Sequence, residues 1–338
     1  MRNFGVFIGR FQPFHNAHLK AVRFALSEVK NLIIVMGSDC QARTIKNPWT
    51  SAERDEMILA SVTRDEWERI RIVRAKDYLY NDNLWLVSVQ QKIEEHTQAW
   101  APCDDVVLFG HEKDRSSFYL KLFPQWKFES LPEFEGGLDA THIRNLHFTC
   151  DLIGIQPLVP EGTFGILQHS QSRPEFRLLN DEYHHLVDYR KKWEGAPFPP
   201  TFVTTDAIVI KSGHVLVVRR GGKVGKDQLA LPGGFLDQHE TLVDGMLREL
   251  KEETAIRVNK AELRKAIVDQ KVFDHPSRSL RGRTITHAYC IDLGYGSLPK
   301  VKGGDDAAKA FWLPLRDLDE DQFFEDHFHI IQNFVSRF

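Results

Sequence analysis

The chain has 338 residues, 42% of them hydrophobic, and a formal net charge of −3. This length suits two domains better than one core, and the near-balanced charge excludes the global basic excess of nucleic-acid binders. No apolar run approaches membrane-spanning length and no signal-peptide pattern is present, so a cytoplasmic protein with neither membrane nor nucleic-acid partners is expected. Four scattered cysteines, Cys40, Cys103, Cys150 and Cys290, form no C-x-x-C pair. Buried free thiols in a reducing compartment are the expectation.

Apolar runs at 4–8, 32–36, 70–73 and 106–109 predict strands with little polar alternation. Between them Leu19, Val22, Ala25, Leu26 and Val29 recur at helical spacing, as do Met57, Ile58 and Val62, and 84–93 supplies a third helix. Such alternation predicts an α/β domain over 1–185 with a doubly wound parallel sheet covered on both faces. The proline-rich stretch 195–200 breaks helices and favours extended backbone, so 186–200 reads as a stiff linker. In 201–338, short β-rich runs at 202–210 and 214–218 flank a hairpin turn at 211–213. A glutamate-rich helix, strands at 266–272 and 284–291, and a Phe-rich ending follow.

The first chemical motif is Gly9-Arg-Phe-Gln-Pro-Phe-His-Asn-Ala-His18, where the first strand meets a helix beginning near Asn16. That junction aims backbone N–H groups and a helix N-terminus at phosphate. His15 and His18 straddle the helix start, and imidazoles there donate hydrogen bonds to phosphoryl oxygens on which charge builds during transfer. An isolated H-x-x-H pair is otherwise a pair of surface or core histidines.

The run resembles the G-x-F-x-P-x-H-x-x-H form of the HxxH/HIGH nucleotidyltransferase signature, filled by Gly9, Phe11, Pro13, His15 and His18. The resemblance implies a Rossmann-like domain and assigns nucleotide contacts to Gly9, Arg10 and Phe11. The same family carries a second signature, S-[SGA]-T-x-x-R, matched here by 139–144 with Thr141 and Arg144 in place and Asp139 replacing serine. An acid there sits unfavourably near triphosphate unless it turns away or helps hold Mg²⁺. Segments 47–54 and 82–85 resemble those of nicotinamide mononucleotide (NMN) adenylyltransferases, which implies that Trp49, Asn83 and Trp85 contact the pyridine ring. A cationic pyridinium gains from an indole face, although either tryptophan alone equally reads as core packing. Gly110 and His111, at the carboxyl end of a strand, are read as ligand contacts or as a simple turn.

The second motif is 233–256, where Gly233 and Gly234 allow a turn close to a ligand at φ values other residues resist. On a helix Glu249, Glu252 and Glu253 share one face, and oxygen ligands so placed suit Mg²⁺ or Mn²⁺. A solvated acidic helix paired to Arg248 and Lys251 is the alternative. The stretch resembles the Nudix box, G-x5-E-x7-R-E-U-x-E-E-x-G-U, through Gly234, Glu240, Arg248, Glu249, Leu250, Glu252, Glu253 and Ile256, with Ala255 in place of the last glycine. It implies an α/β/α fold with a mixed sheet, metal held by Glu249, Glu252, Glu253 and Glu240, and hydrolysis of a nucleoside diphosphate linkage. The segment 279–289 is similar to that of ADP-ribose pyrophosphatases, with Arg281 and Arg283 as diphosphate or ribose-phosphate contacts or as solvated hairpin charges.

Together the halves resemble the bifunctional NMN adenylyltransferase/Nudix hydrolases. The resemblance implies ATP and NMN as substrates, NAD as product, ADP-ribose as the hydrolysed compound, and self-association of the first domain. Catalysis is expected from His15, His18 and Arg144 in one domain and Glu249, Glu252 and Glu253 in the other. The rival readings are a non-catalytic ADP-ribose sensor, and a first domain that is weakened or acts on another substrate.

Overall fold

Five parallel strands carry the first unit. The computed structural model describes residues 2–98, 106–111, 120–132, 138–304 and 307–335, and the chain divides into Met1–Asn180 and Asp181–Phe338. The first unit contains β1 (Arg2–Gly9), α1 (Asn16–Glu28), β2 (Val29–Met36), α2 (Ser51–Leu59), α3 (Arg64–Glu68), β3 (Ile70–Arg74), α4 (Asp82–Gln98), β4 (Val106–Gly110) and β5 (Lys127–Ser130). After these come α5 (Ala140–Phe148), α6 (Leu152–Ile155) and α7 (Glu161–Ser170), while α8 (Pro174–Lys191) begins in the first unit and continues into the second. The strand order β3-β2-β1-β4-β5 reverses direction at β1, where β2 lies on one side and β4 on the other. A crevice for ligands opens at such a switch point, beyond the carboxyl ends of the strands.

Alternation along the strands fills both faces. Phe7, Leu32, Ile34 and Val107 pack with Val22 and Leu26 of α1, whereas Val6, Ile33, Val35 and Leu108 pack with Val89 and Ile93 of α4. Each such side chain contributes about 1.5–3 kcal/mol by leaving water. Strand β5 escapes sequence reading because KFES has no apolar run and lies at the sheet edge, exposed at both ends. Helix α8 continues to Lys191, so the start of the expected linker is helical; Glu182 and Leu186, four apart on one face, are both buried.

The second unit is built on a mixed sheet. Its elements are β6 (Thr201–Lys211), β7 (His214–Arg220), β8 (Leu229–Ala230), β9 (Gly233–Phe235), α9 (Leu242–Thr254), α10 (Lys260–Lys265), β10 (Ile267–Phe273), β11 (Arg283–Asp292), β12 (Ala307–Pro314) and α11 (His327–Val335). The order is β10-β11-β6-β7-β12, with β6 and β11 parallel and the other pairs antiparallel. Ser212 and Gly213, at φ 46° and 72°, make the two-residue turn between β6 and β7, as hairpin twist requires. Ala207 and Val209 of β6 pack on Met246, Leu247 and Leu250 of α9, fixing the helix that carries the glutamates.

Two expectations are corrected here. Cys40 and Cys150 are exposed rather than buried, because each occupies a left-handed turn position, φ 55° and 58°. Cys290 is buried, and Cys103 lies outside the described residues. Gly233 and Gly234 are not at positive φ; both lie in β9 and are required for close approach. A Cβ on Gly233 would lie 2.2 Å from Thr205 O, and one on Gly234 would lie 2.5 Å from Glu249 Oε1. Among the described residues no helix is long and apolar enough to cross a membrane.

Ala255 does what the box glycine would do. It ends α9 in the left-handed region at φ 42°, donating its N–H to Lys251 O. That conformation strains a residue with a Cβ by about 1–2 kcal/mol, less the unfolded-state freedom that glycine adds. Ala255→Gly is therefore expected to raise stability by about 0.5–1 kcal/mol in denaturant titration.

Candidate active sites

In the first unit the loop after β1 is held from beneath. Arg54, 1% exposed, donates from Nη1 to Arg10 O and Gly37 O at 2.7 Å each and from Nη2 to Ser38 O at 3.0 Å. One guanidinium thus ties together the ends of β1 and β2. Burial first, and then the charge of Arg74, pulls its pKa down to about 10, with Asp39 the leading opposing charge. The signal for this role is subtle: Arg54 shares the α2 face of Met57 and Ile58, a charge on an apolar stripe.

Phe11 and Phe14 are buried under the loop and His15 caps α1. The His15 N–H donates to His18 Nδ1 at 3.3 Å, and the two rings stack at 3.5 Å between centroids. His18 is further walled by Phe11 at 4.9 Å and Phe14 at 5.7 Å. Because Nδ1 accepts, the neutral ring carries its proton on Nε2. Gly9 is required here, since a Cβ would lie 2.8 Å from the Phe11 ring.

Arg144 reaches the same loop from α5. It donates to Gln12 O at 2.6 Å and to Thr141 Oγ1 at 3.0 Å. Burial, then the charge of Arg10, lowers its pKa to about 10. Lys46 is lowered as well, by burial first and then by Arg10 and Arg144, with Asp77 opposing. Three cations gathered under partial burial repel one another and call for a polyanion. Lys46 was not among the residues singled out from sequence, because a lysine in a loop carries no pattern of its own. Asp139 caps α5, accepting the Thr141 N–H at 2.9 Å, and its charge still reaches Arg144, opposing the lowering of that pKa. Aspartate caps helices as well as serine does, which explains the departure from the signature.

The other predicted contacts are dispersed. Trp49 is 3% exposed, packs in the core with α1, and has its backbone clamped by the Gln12 amide at 2.8 and 3.1 Å. Trp85 packs on the opposite sheet face, 5.8 Å from Phe123, while Asn83 is exposed on α4. The two indoles are therefore not brought together. Gly110 ends β4 in a packed position, where a Cβ would lie 2.4 Å from Leu120 Cδ2. His111 is half-buried, and 112–114 lie outside the described residues.

In the second unit Arg248 organises the carboxylates. It donates to Glu240 Oε1 at 2.7 Å, Glu249 Oε1 at 2.8 Å, Glu252 Oε2 at 2.9 Å and Phe235 O at 3.2 Å. Hydrogen bonding to Glu240 leads the causes that raise the Arg248 pKa, and the same bond lowers Glu240. Glu253 lies apart from this fan, accepting the Gly233 N–H at 3.0 Å and only 8% exposed. Burial, and then the charges of Glu249 and Asp206, push it up to about 8.

Among the described residues no three His, Cys, Asp or Glu side chains form a closed metal-binding group. The donor set still fits a hard divalent ion in kind, being all carboxylate, with Glu253 carrying a burial cost that a cation would relieve. Asp206 was not foreseen. It is buried, takes the Thr286 hydroxyl at 2.5 Å, and lies with Oδ1 2.5 Å from where a Gly233 Cβ would stand. Arg281 lies 5.0 Å from the Phe235 ring centre, whereas Arg283 is committed to the backbone carbonyl of Asp274.

Comparisons with known proteins follow this division. A family model described as Cytidylyltransferase-like matches residues 6–118, and a NUDIX domain model matches 200–334. The chain is 38% identical over 178 residues to a nicotinamide/nicotinic acid mononucleotide adenylyltransferase of Acinetobacter baylyi, covering 53% of this chain and 92% of that protein. It is 34% identical over 133 residues to an ADP-ribose pyrophosphatase of Methanocaldococcus jannaschii, covering 39% of this chain and 72% of the relative. A solved Francisella tularensis structure, a bifunctional NMN adenylyltransferase/ADP ribose pyrophosphatase complexed with AMP and manganese ion, aligns with a TM-score of 0.90 at 32% identity. The alignment covers 100% of this chain and 99% of that one.

Proposed function

The chain belongs to the bifunctional NMN adenylyltransferase/ADP-ribose pyrophosphatase family, and from that premise we propose two reactions, one in each unit. The first unit transfers AMP from ATP to NMN, giving NAD and pyrophosphate. The second hydrolyses ADP-ribose to AMP and ribose 5-phosphate. The observation that carries the reading is the pairing of a cationic pocket with a carboxylate fan. Arg10, Lys46 and Arg144 gather at the loop that leads into His15 and His18, where Arg144 donates to Gln12 O, and Arg248 holds Glu240, Glu249 and Glu252 beside the Gly233–Gly234 strand.

For transfer, a phosphate oxygen of NMN attacks the α-phosphorus of ATP and the bond to the β-phosphate bridging oxygen breaks, so pyrophosphate leaves with that electron pair. No protein nucleophile is needed. His18 offers an N–H from Nε2, His15 lies stacked on it, and Arg144 and Lys46 offset charge as it moves onto the leaving oxygens. Arg54 keeps the two strand-end loops in register so that these donors meet one substrate.

For hydrolysis, Glu249, Glu252 and Glu253 would hold a divalent ion, which we assign as Mg²⁺, with Glu240 contributing through Arg248 or water. When bound, such an ion neutralises the diphosphate oxygens and makes water a better nucleophile. Arg248 spaces the glutamates before the ion arrives, and the Gly233 N–H fixes the Glu253 carboxylate. Asp206 supports the Gly233 backbone from behind. The proposed substrates support a cytoplasmic location.

The glutamates are all present, which speaks against a non-catalytic sensor, and Asp139 as a helix cap speaks against a weakened transferase. Purified protein incubated with ATP, NMN and Mg²⁺ is expected to release pyrophosphate and form NAD. The same preparation given ADP-ribose is expected to yield AMP. Absence of NAD would remove the first assignment, and intact ADP-ribose the second.

A further inference from the structure

Gln12 stands between Phe11 and Pro13 in the loop after β1 and is 2% exposed. A polar side chain so buried is kept for the hydrogen bonds it makes. Both ends of its amide are used: Nε2 donates to Trp49 O at 2.8 Å, and Oε1 accepts the Trp49 N–H at 3.1 Å. The side chain thus pairs with the Trp49 backbone as a neighbouring strand would, across 37 residues of sequence. Trp49 is itself buried, so its N–H and C=O have little water to turn to once that amide is gone.

Gln12 meets a third element through its backbone. Its carbonyl accepts from Arg144 Nη1 at 2.6 Å, and Arg144 is buried on α5. The contacts close into a ring, because the Trp49 indole lies 5.2 Å from the His147 ring, one helical turn past Arg144. The β1 loop, the segment ending at Trp49 and α5 are therefore fixed to one another at Gln12. Lys46 lies on that segment, inside a closed turn. Thr44 Oγ1 accepts the N–H groups of Lys46 and Asn47 at 3.3 and 3.0 Å, and the Thr44 N–H donates to Asn47 O at 3.2 Å. Arg43 braces the same turn by donating to Pro48 O at 2.6 Å. A turn so tied moves as one body, and a shift of Trp49 carries Lys46 with it.

We propose that Gln12 is a positioning residue for the transfer reaction, its amide setting Lys46 against Arg144 so that both cations meet one phosphate chain. This rests on the transferase reading above and adds to it what holds the cationic pocket in shape. Burial first, and then Arg10 and Arg144, disfavours the charge on Lys46, so these cations repel one another before an anion arrives. Like charges separate unless the backbone restrains them, and a neutral amide restrains them without spending their charge. A carboxylate at the same place would still accept the Trp49 N–H, but it would offset the cations that the phosphates require. Arg54 ties a different pair of segments, the ends of β1 and β2.

The test uses the full chain with ATP, NMN and Mg²⁺. Gln12→Met keeps the length of the side chain and removes both bonds to Trp49. It is expected to lower kcat for NAD formation about 10- to 100-fold, with KM for ATP and NMN within about threefold of the wild type. Lys46→Met is expected to lose about 100-fold, and the double variant should lie within about twofold of Lys46→Met alone. A general loosening of the fold would instead multiply the two losses. Multiplied losses, an unchanged kcat, or a loss confined to KM would overturn the proposal. Should Gln12→Met fail to fold, Gln12→Asn, whose amide is drawn back by one methylene, is read by the same outcomes. Should the wild-type protein form no NAD, the transferase reading fails by itself. Amide hydrogen exchange over 44–50 then decides the clamp: faster exchange in Gln12→Met supports it and equal exchange overturns it.

Discussion

His18→Ala lowers NAD formation by about 10²–10³-fold and leaves ADP-ribose hydrolysis at its wild-type rate. The expectation follows from where the ring is held. Its Nδ1 accepts the His15 N–H at 3.3 Å, so the neutral ring carries its proton on Nε2. The faces and edge of the ring are fixed by His15, Phe11 and Phe14, which prevents it from rotating away from substrate. A preorganised donor of this kind is worth more in the transition state than in the ground state, so the loss should fall on kcat more than on KM. Removing the ring also removes one acceptor at the start of α1, a cost of about 0.5–2 kcal/mol typical of helix caps. That loss shifts the melting temperature without unfolding the protein. Pyrophosphate release and AMP release measured on one preparation separate the two effects, since a folding defect confined to stability leaves both reactions running at lower temperature. Wild-type NAD formation by this variant would remove His18 from the mechanism.

The legibility of this chain varies with the kind of constraint. Strands β1 to β4 are legible because burial on both faces demands continuous aliphatic residues, while β5 is not, since an exposed edge strand tolerates KFES. Motif residues such as His15, His18 and the box glutamates are visible because their spacing is set by one helix or one turn. Arg54 and Lys46 are set instead by contacts across loops distant in sequence; the charge of Arg54 on an apolar helix stripe is a faint local mark, and Lys46 has none. The glycines show the limit of type-based reasoning. Gly233 and Gly234 were legible as special, yet the reason is contact with Thr205 O and Glu249, not a left-handed backbone. Ala255 shows the converse, a left-handed position filled without glycine.

Glu253→Gln abolishes most hydrolysis, by about 10²-fold or more, and does so without lowering stability. The substitution keeps the shape of the side chain and an oxygen able to accept the Gly233 N–H, a bond of 3.0 Å that sets the strand against α9. What it deletes is the capacity to carry a negative charge in a buried place when a cation binds there. That charge is disfavoured by burial first, and then by Glu249 and Asp206, which together move the carboxyl up to about 8. A native state that tolerates such a cost gains nothing structural from it, so the charge is retained for what it binds. The amide is therefore expected to leave the melting temperature of the ion-free protein equal or higher, to weaken binding of Mg²⁺ in titration calorimetry, and to stop AMP release from ADP-ribose. NAD formation in the same sample should be untouched, because His15, His18 and Arg144 belong to the other unit. Full-rate hydrolysis by this variant would show that the buried carboxylate is a structural acceptor alone. A fall in melting temperature of the ion-free protein would show that the carboxyl group, and not only its shape, holds the strand.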